Sequence, residues 1–212
     1  GNQKQLALGF IMYAGDFDDK IITSVGNYAG GFWRGPHNNG SFQDLTVGMS
    51  REEAMDYVEQ GIQASEIFSY VPAAGSYHCP GDLRTKRLQP GRGWAWDSYS
   101  KANGMNGLGW QSNAQPPYKK MTSVLSPSEA MIFIEEADPR DYNNGTWVID
   151  VMPNPRWVDP FAVFHGHVST IGFADGHAEL HAWGDEATIK AATDSANGQN
   201  SFYWSGGNAS NP

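Results

Sequence analysis

The run from His165 to His181 limits the fold more than any other part of the chain, because its pattern dictates a two-stranded ribbon. Asp175-Gly176 at its centre favours a tight two-residue turn, which asks for positive φ at both positions. With that pair in the turn, Ala174 opposes His177, Phe173 opposes Ala178, and Ile171 opposes Leu180. Strand alternation then puts Ser169, Ile171, Phe173, Ala178, Leu180 and Ala182 on one face. Thr170, Gly172, Ala174, His177, Glu179 and His181 take the other. The expectation is a half-buried antiparallel hairpin, apolar on one side and polar on the other.

The remainder of the 212 residues suits such a ribbon better than a helical bundle, with 25 Gly, 12 Pro, 8 Trp and only 17% charged residues. Long loops rich in Gly, Asn and Trp are expected at 24–48 and 93–110. A net charge of −9 argues against nucleic acid, whose binding needs Lys and Arg against phosphate, and gives no support to docking on anionic lipid. Cys79 is the single cysteine, so no internal disulfide framework exists. No run of about 18 apolar residues is present, and the chain reads as one soluble domain over 1–212 with no repeat or linker.

Leu6, Phe10, Tyr13 or Ala14, and Phe17 recur at helical spacing, predicting a helix from 2 to about 15 that ends at Gly15. It starts in mid-pattern, which leads us to expect a longer parent helix upstream. Ser50 to Glu53 forms a capping box before a helix reaching about Gln60 or Gln63, with Ala54, Met55, Val58 and Ile62 buried. A second helical stretch is expected from Ala64 to Phe68. Tyr77 to Asp82 is a turn. Ala130 to Glu135 is the best central strand, Trp147 to Val151 a short one, and Glu186 to Ala192 a short helix.

Several groups of residues invite a chemical reading. His165-x-His167 and His177-x3-His181 have ligand-like spacing. The expected register places His177 and His181 opposite Ser169, Ile171 and Phe173, against a four-His site; a partial site with an outside carboxylate stays open. Asp16, Asp18 and Asp19 read as a solvated turn, with calcium as the sharper alternative. Cys79 follows His78, but a turn at Pro80 argues against a reactive thiol. Glu135 and Glu136 alternate on a strand and so cannot act together as paired acids. Nucleophile-elbow and phosphate-loop motifs are absent. Trp94, Trp96, Trp110 and Trp204 lie in Gly/Asn-rich segments, where they serve as loop anchors or as stacking platforms for sugars.

Five segments, in order, resemble landmarks of bacterial prepilin-like proteins of the H-X9-DG family, which are processed like type IV pilins and type II secretion pseudopilins. They are Asn2 to Asp16, the Cys79-Pro80-Gly81-Asp82 turn, Ser98-Tyr99-Ser100 with Asn103, Ser126-Pro127-Ser128-Glu129, and His165 to Asp175-Gly176. The family's leader, its Gly-Phe-Thr-Leu-Ile-Glu-like processing site and its membrane helix of about 20 apolar residues do not occur in the sequence. Residues 26–63 look like an insertion between landmarks.

The resemblance implies an α+β, pilin-like fold with the first helix packed on an antiparallel sheet. It also implies a non-enzymatic structural subunit, anchored in the bacterial inner membrane by a preceding segment. The domain would face the periplasm or exterior and assemble with other pilin-like subunits through the N-terminal helix. His165, Asp175, Gly176, Cys79, Pro80 and Asp82 are then structural motif residues, and no cofactor is expected beyond the calcium alternative. Two other classes stay open. One is a carbohydrate-binding module that exposes Trp94, Trp96 or Trp110 to a glycan. The other is a metal-dependent hydrolase in which His165 or His167 converges with a carboxylate.

Overall fold

A computed structural model of the chain describes residues 1–23, 48–90, 94–107, 116–139, 146–150 and 156–199. Its helices among these residues are α1 (Asn2–Asp16), α2 (Arg51–Gln63), α3 (Arg84–Arg87) and α4 (Glu186–Ala196). Its strands are β1 (Tyr99–Ala102), β2 (Met131–Glu135), β3 (Thr146–Trp147), β4 (Ile149–Asp150), β5 (Arg156–Trp157), β6 (Val168–Phe173) and β7 (Ala178–Ala182). The main sheet runs β3-β1-β2-β6-β7, with β1, β2, β6 and β7 antiparallel and β3 joined to β1 in parallel. The fold is therefore mixed α+β.

The apolar run 130–135 becomes the middle strand, β2, because an unbroken apolar run can face a core on both sides. Ile132, Phe133, Ile134 and Glu135 are all 1% exposed or less. On one face, Phe10 of α1 meets the edge of Phe133, ring centres 5.9 Å apart, amid Leu6, Val58, Ile62 and Tyr77. On the other, Ile134, Ile171 and Phe173 pack with Trp157, Phe161 and the α4 residues Ala191 and Ala192.

Local signals set the helix ends. Ser50 Oγ accepts from Glu53 N at 3.1 Å, and Asp185 accepts from Thr188 N at 2.7 Å, each satisfying an amide that the first turn leaves open. α4 runs to Ala196, past the expected Ala192, because Ser195 continues the buried stripe of Thr188, Ala191 and Ala192. α1 ends one residue beyond Gly15, where Asp18 and Asp19 adopt left-handed φ of 53° and 65°. The short helical stretch expected at 64–68 forms as a 3-10 turn at Glu66–Ser69, and a second such turn follows at Ala74–Tyr77. α2 belongs to the main core through Ala54, Val58 and Ile62, while the rest of the 26–63 segment up to 47 lies outside the described residues.

The hairpin forms, but its register corrects the expected one by a residue. Ile171 pairs with Glu179 and Thr170 with Leu180, and the turn is the three-residue loop Ala174 to Gly176. Gly176 N donates to Phe173 O, and Gly176 supplies the positive φ of 91° that such a loop needs at its last position. A one-residue shift exchanges faces. His177 and His181 therefore share the side of Ile171 and Phe173, and Leu180, expected on the apolar face, is 71% exposed. No helix among the described residues is long and apolar enough to cross a membrane.

Candidate functional site

The turn after the Ala74–Tyr77 segment is fixed by a buried charge pair. Asp82 grips Arg84 through Nε and Nη2, and also accepts from Ser98 Oγ at 2.8 Å. Ser98 Oγ in turn accepts from Cys79 N at 2.9 Å, so one hydroxyl ties the turn to the strand leading into β1. The motif residue Asp82 thus positions Cys79 rather than facing solvent.

Pairing of β2 with β6 sets Ile134 opposite Ile171, which brings Glu135 beside Thr170. Thr170 donates to the Glu135 carboxylate from its backbone N at 3.2 Å and from Oγ1 at 2.9 Å. Gln3 of α1 donates to Thr170 O and Oγ1 at 2.7 and 3.0 Å, linking the start of α1 to this carboxylate through one hydroxyl. Burial raises the Glu135 pKa.

His165 completes the group from the loop before β6. Its Nε2 lies 3.2 Å from Cys79 Sγ and 3.4 Å from Glu135 Oε1. Gly81 permits the approach: a Cβ there would stand 3.0 Å from His165 Cε1 and 3.2 Å from Nδ1. Cys79 and Glu135 are buried, whereas the His165 side chain is 40% exposed. A cleft of ≈ 350 Å³ opens beside them, lined by Asn2, Gln3, Pro80, Tyr99, Thr170 and Leu180 among others.

A cysteine, histidine and acid together suggest a nucleophilic triad, but the geometry is wrong for one. A triad places the nucleophile on one imidazole nitrogen and the acid on the other. Here both address Nε2. Burial, and then the nearby Glu135 charge, push the Cys79 thiol up to about 12, so it lacks the thiolate a nucleophile needs. The partner of Cys79 is His165, not His78, which stacks on Trp96 at 4.7 Å.

The other candidates disperse. Asp175 and Gly176 sit at the far end of β6, where Asp175 accepts from His177 N and Nδ1, and a Cβ on Gly176 would meet Leu8 and Ile11 of α1. The His177 amide and ring hold the Asp175 carboxyl below its ordinary pKa. His167 is exposed and joins no ligand-like group among the described residues. Asp16 accepts from Tyr70 and Asp19 from Thr122, so the three aspartates of that loop do not converge. Glu136 faces away from Glu135, towards Asp138 and Asp159 in a second buried set of carboxylates. Trp94 is fully buried and offers no face to a sugar; Trp96 is half-buried against His78. Trp110 and Trp204 lie outside the described residues.

Sequence reasoning kept Cys79 and His165 as separate motif residues and missed Glu135, Thr170 and Gln3 as their neighbours. The β2–β6 register joins Glu135 to Thr170, and contacts distant in sequence bring Gln3 and Cys79 to them. Comparison with protein-family models, curated proteins and solved structures finds no significant match to the chain.

Proposed function

We propose that this chain is the extracytoplasmic part of a pilin-like structural subunit. In this reading a preceding membrane helix continues α1, and α1 is the assembly element of a short filament or secretion apparatus. The carrying observation is that α1 has apolar residues on both sides. Its inner side, Leu6, Ala7, Phe10 and Ala14, is buried along the sheet. Its outer side leaves Leu8 44% and Met12 57% exposed, as a helix shared between its own sheet and a neighbouring subunit would.

Support also comes from the sheet. α1 follows β6 from the Gln3–Thr170 contact to the approach of Leu8 and Ile11 to Gly176, so the Asp-Gly end of the H-X9-DG spacing packs on this helix. An apolar groove of ≈ 270 Å³ lies beside it, lined by Leu8, Gly9, Met12, Val71 and Pro72 among others.

The test is a Met12→Cys variant of the full-length protein in the envelope of its source bacterium. Oxidation is expected to give covalent dimers, with buried Cys79 unreactive. A protein that stays monomeric there, free of the membrane fraction, sinks the reading.

A further inference from the structure

We propose that Cys79, Glu135 and His165 form a zinc site whose fourth coordination position opens into the adjoining cleft. This goes beyond a structural role for Cys79 and His165, and it stands on geometry independent of the assembly reading. Three donor atoms, Sγ, a carboxylate oxygen and Nε2, lie within 4.8 Å of one another.

Two of the three donor separations are close to tetrahedral edges. With Zn–S about 2.3 Å, Zn–N about 2.05 Å and Zn–O about 2.0 Å, tetrahedral angles put sulfur and nitrogen about 3.6 Å apart, and nitrogen and oxygen about 3.3 Å apart. The observed separations are 3.2 and 3.4 Å. A metal also accounts for the feature that excluded a triad: thiol and carboxylate both converge on one imidazole nitrogen. A thiolate, an imidazole and a carboxylate form a borderline donor set suited to zinc rather than to calcium or magnesium, which take oxygen.

The surroundings are built as those of a metal ligand are. Thr170 binds both oxygens of Glu135 and is itself held by Gln3, which fixes the carboxylate's orientation. The Ser98 hydroxyl holds the Cys79 amide, and Gly81 leaves room for the ring of His165. Two of the three ligands are buried, while the exposed side of His165 borders the cleft, giving a route for the ion. Three protein ligands and one open position are the arrangement of zinc sites that bind an exchangeable water or an added ligand. On binding, zinc takes the place of the Cys79 proton, which passes to solvent.

The experiment is calorimetric titration of the chelator-treated, folded chain with zinc, repeated with cobalt and followed by absorbance. One zinc per chain is expected, and a thiolate-to-cobalt charge-transfer band. Cys79→Ser should abolish that band. Cys79→Ser, His165→Ala and Glu135→Gln should each weaken zinc by more than the about 10- to 100-fold typical of losing a supporting residue, and Thr170→Val by about that amount. His181→Ala should change nothing. Circular dichroism identifies any variant that fails to fold, and the partly exposed His165→Ala is the variant expected to keep its fold. No one-to-one zinc binding by the folded parent chain overturns the proposal. So does zinc held equally by His165→Ala, or a cobalt complex without the thiolate band.

Discussion

Asp82 and Arg84 form a two-point ion pair, 2.7 Å at its shortest, with both residues only 1% exposed. Arg84 also donates to Asp97 O, and its charge opposes the burial that drives the Asp97 carboxyl well above its ordinary pKa. Removing the guanidinium leaves carboxylates buried near one another. Arg84→Met is expected to cost about 3–5 kcal/mol at neutral pH in urea titrations, the usual scale for breaking one side of a buried pair. The loss should shrink as pH falls and the buried Asp97 carboxyl takes up a proton. A loss below about 1 kcal/mol would mean the pair is not what fixes the turn.

Lys101 is fully buried on β1, where Nζ donates to Met105 O. Burial pushes its pKa down to about 7, against about 10.4 in an unfolded chain. Between those values the unfolded state holds more protons, so stability rises with pH, by up to about 1.4 kcal/mol per unit. Below pH 7 both states are protonated and the penalty is constant. The thermal midpoint should therefore climb from pH 7 to about 8, above which ionisation of the unfolded Cys79 thiol, ordinarily near about 8.5, works against it. Lys101→Met should flatten that climb. An identical slope in the variant would contradict the assignment.

Gly9 lies where α1 crosses Val71, and a Cβ there would stand 2.5 Å from Val71 Cγ2. Alanine gains about 1 kcal/mol of helix propensity, but overpacking a filled core costs about 1–3 kcal/mol. The clash should win, leaving Gly9→Ala net destabilised in denaturant. Adding Val71→Ala should make the Gly9→Ala step favourable again, as a double-mutant cycle would show.

Gly166 and Gly176 both have positive φ, 83° and 91°, but only Gly176 touches α1. Alanine at either pays about 1–2 kcal/mol for the left-handed backbone. At 176 it also meets Leu8 at 3.1 Å and Ile11 at 3.2 Å. Gly176→Ala should therefore cost more than Gly166→Ala. Equal costs would show that hairpin and helix are not packed tightly there.

Features written in neighbouring residues were legible in the sequence. The Ser50 cap, the apolar run that becomes β2, and the opposed directions of Glu135 and Glu136 all follow from short-range pattern. The hairpin was visible but slipped by one residue, because Asp175 bonds His177 N and leaves Gly176 alone to take the positive φ. That lengthens the loop to three residues and turns Leu180 outward. β1 was hidden because Ser100 and Lys101 are polar yet fully buried, so no apolar alternation marks it. The Cys79–His165 contact spans 86 positions and depends on the sheet register, which no local pattern carries.

The most direct measurement for the assembly reading is the coding sequence upstream of residue 2. The account predicts a short basic leader, a Gly-Phe-Thr-Leu-Ile-Glu-like processing site and an unbroken apolar stretch of about 20 residues running into α1. A conventional cleavable signal peptide, or a separate folded domain joined at that point, would contradict it.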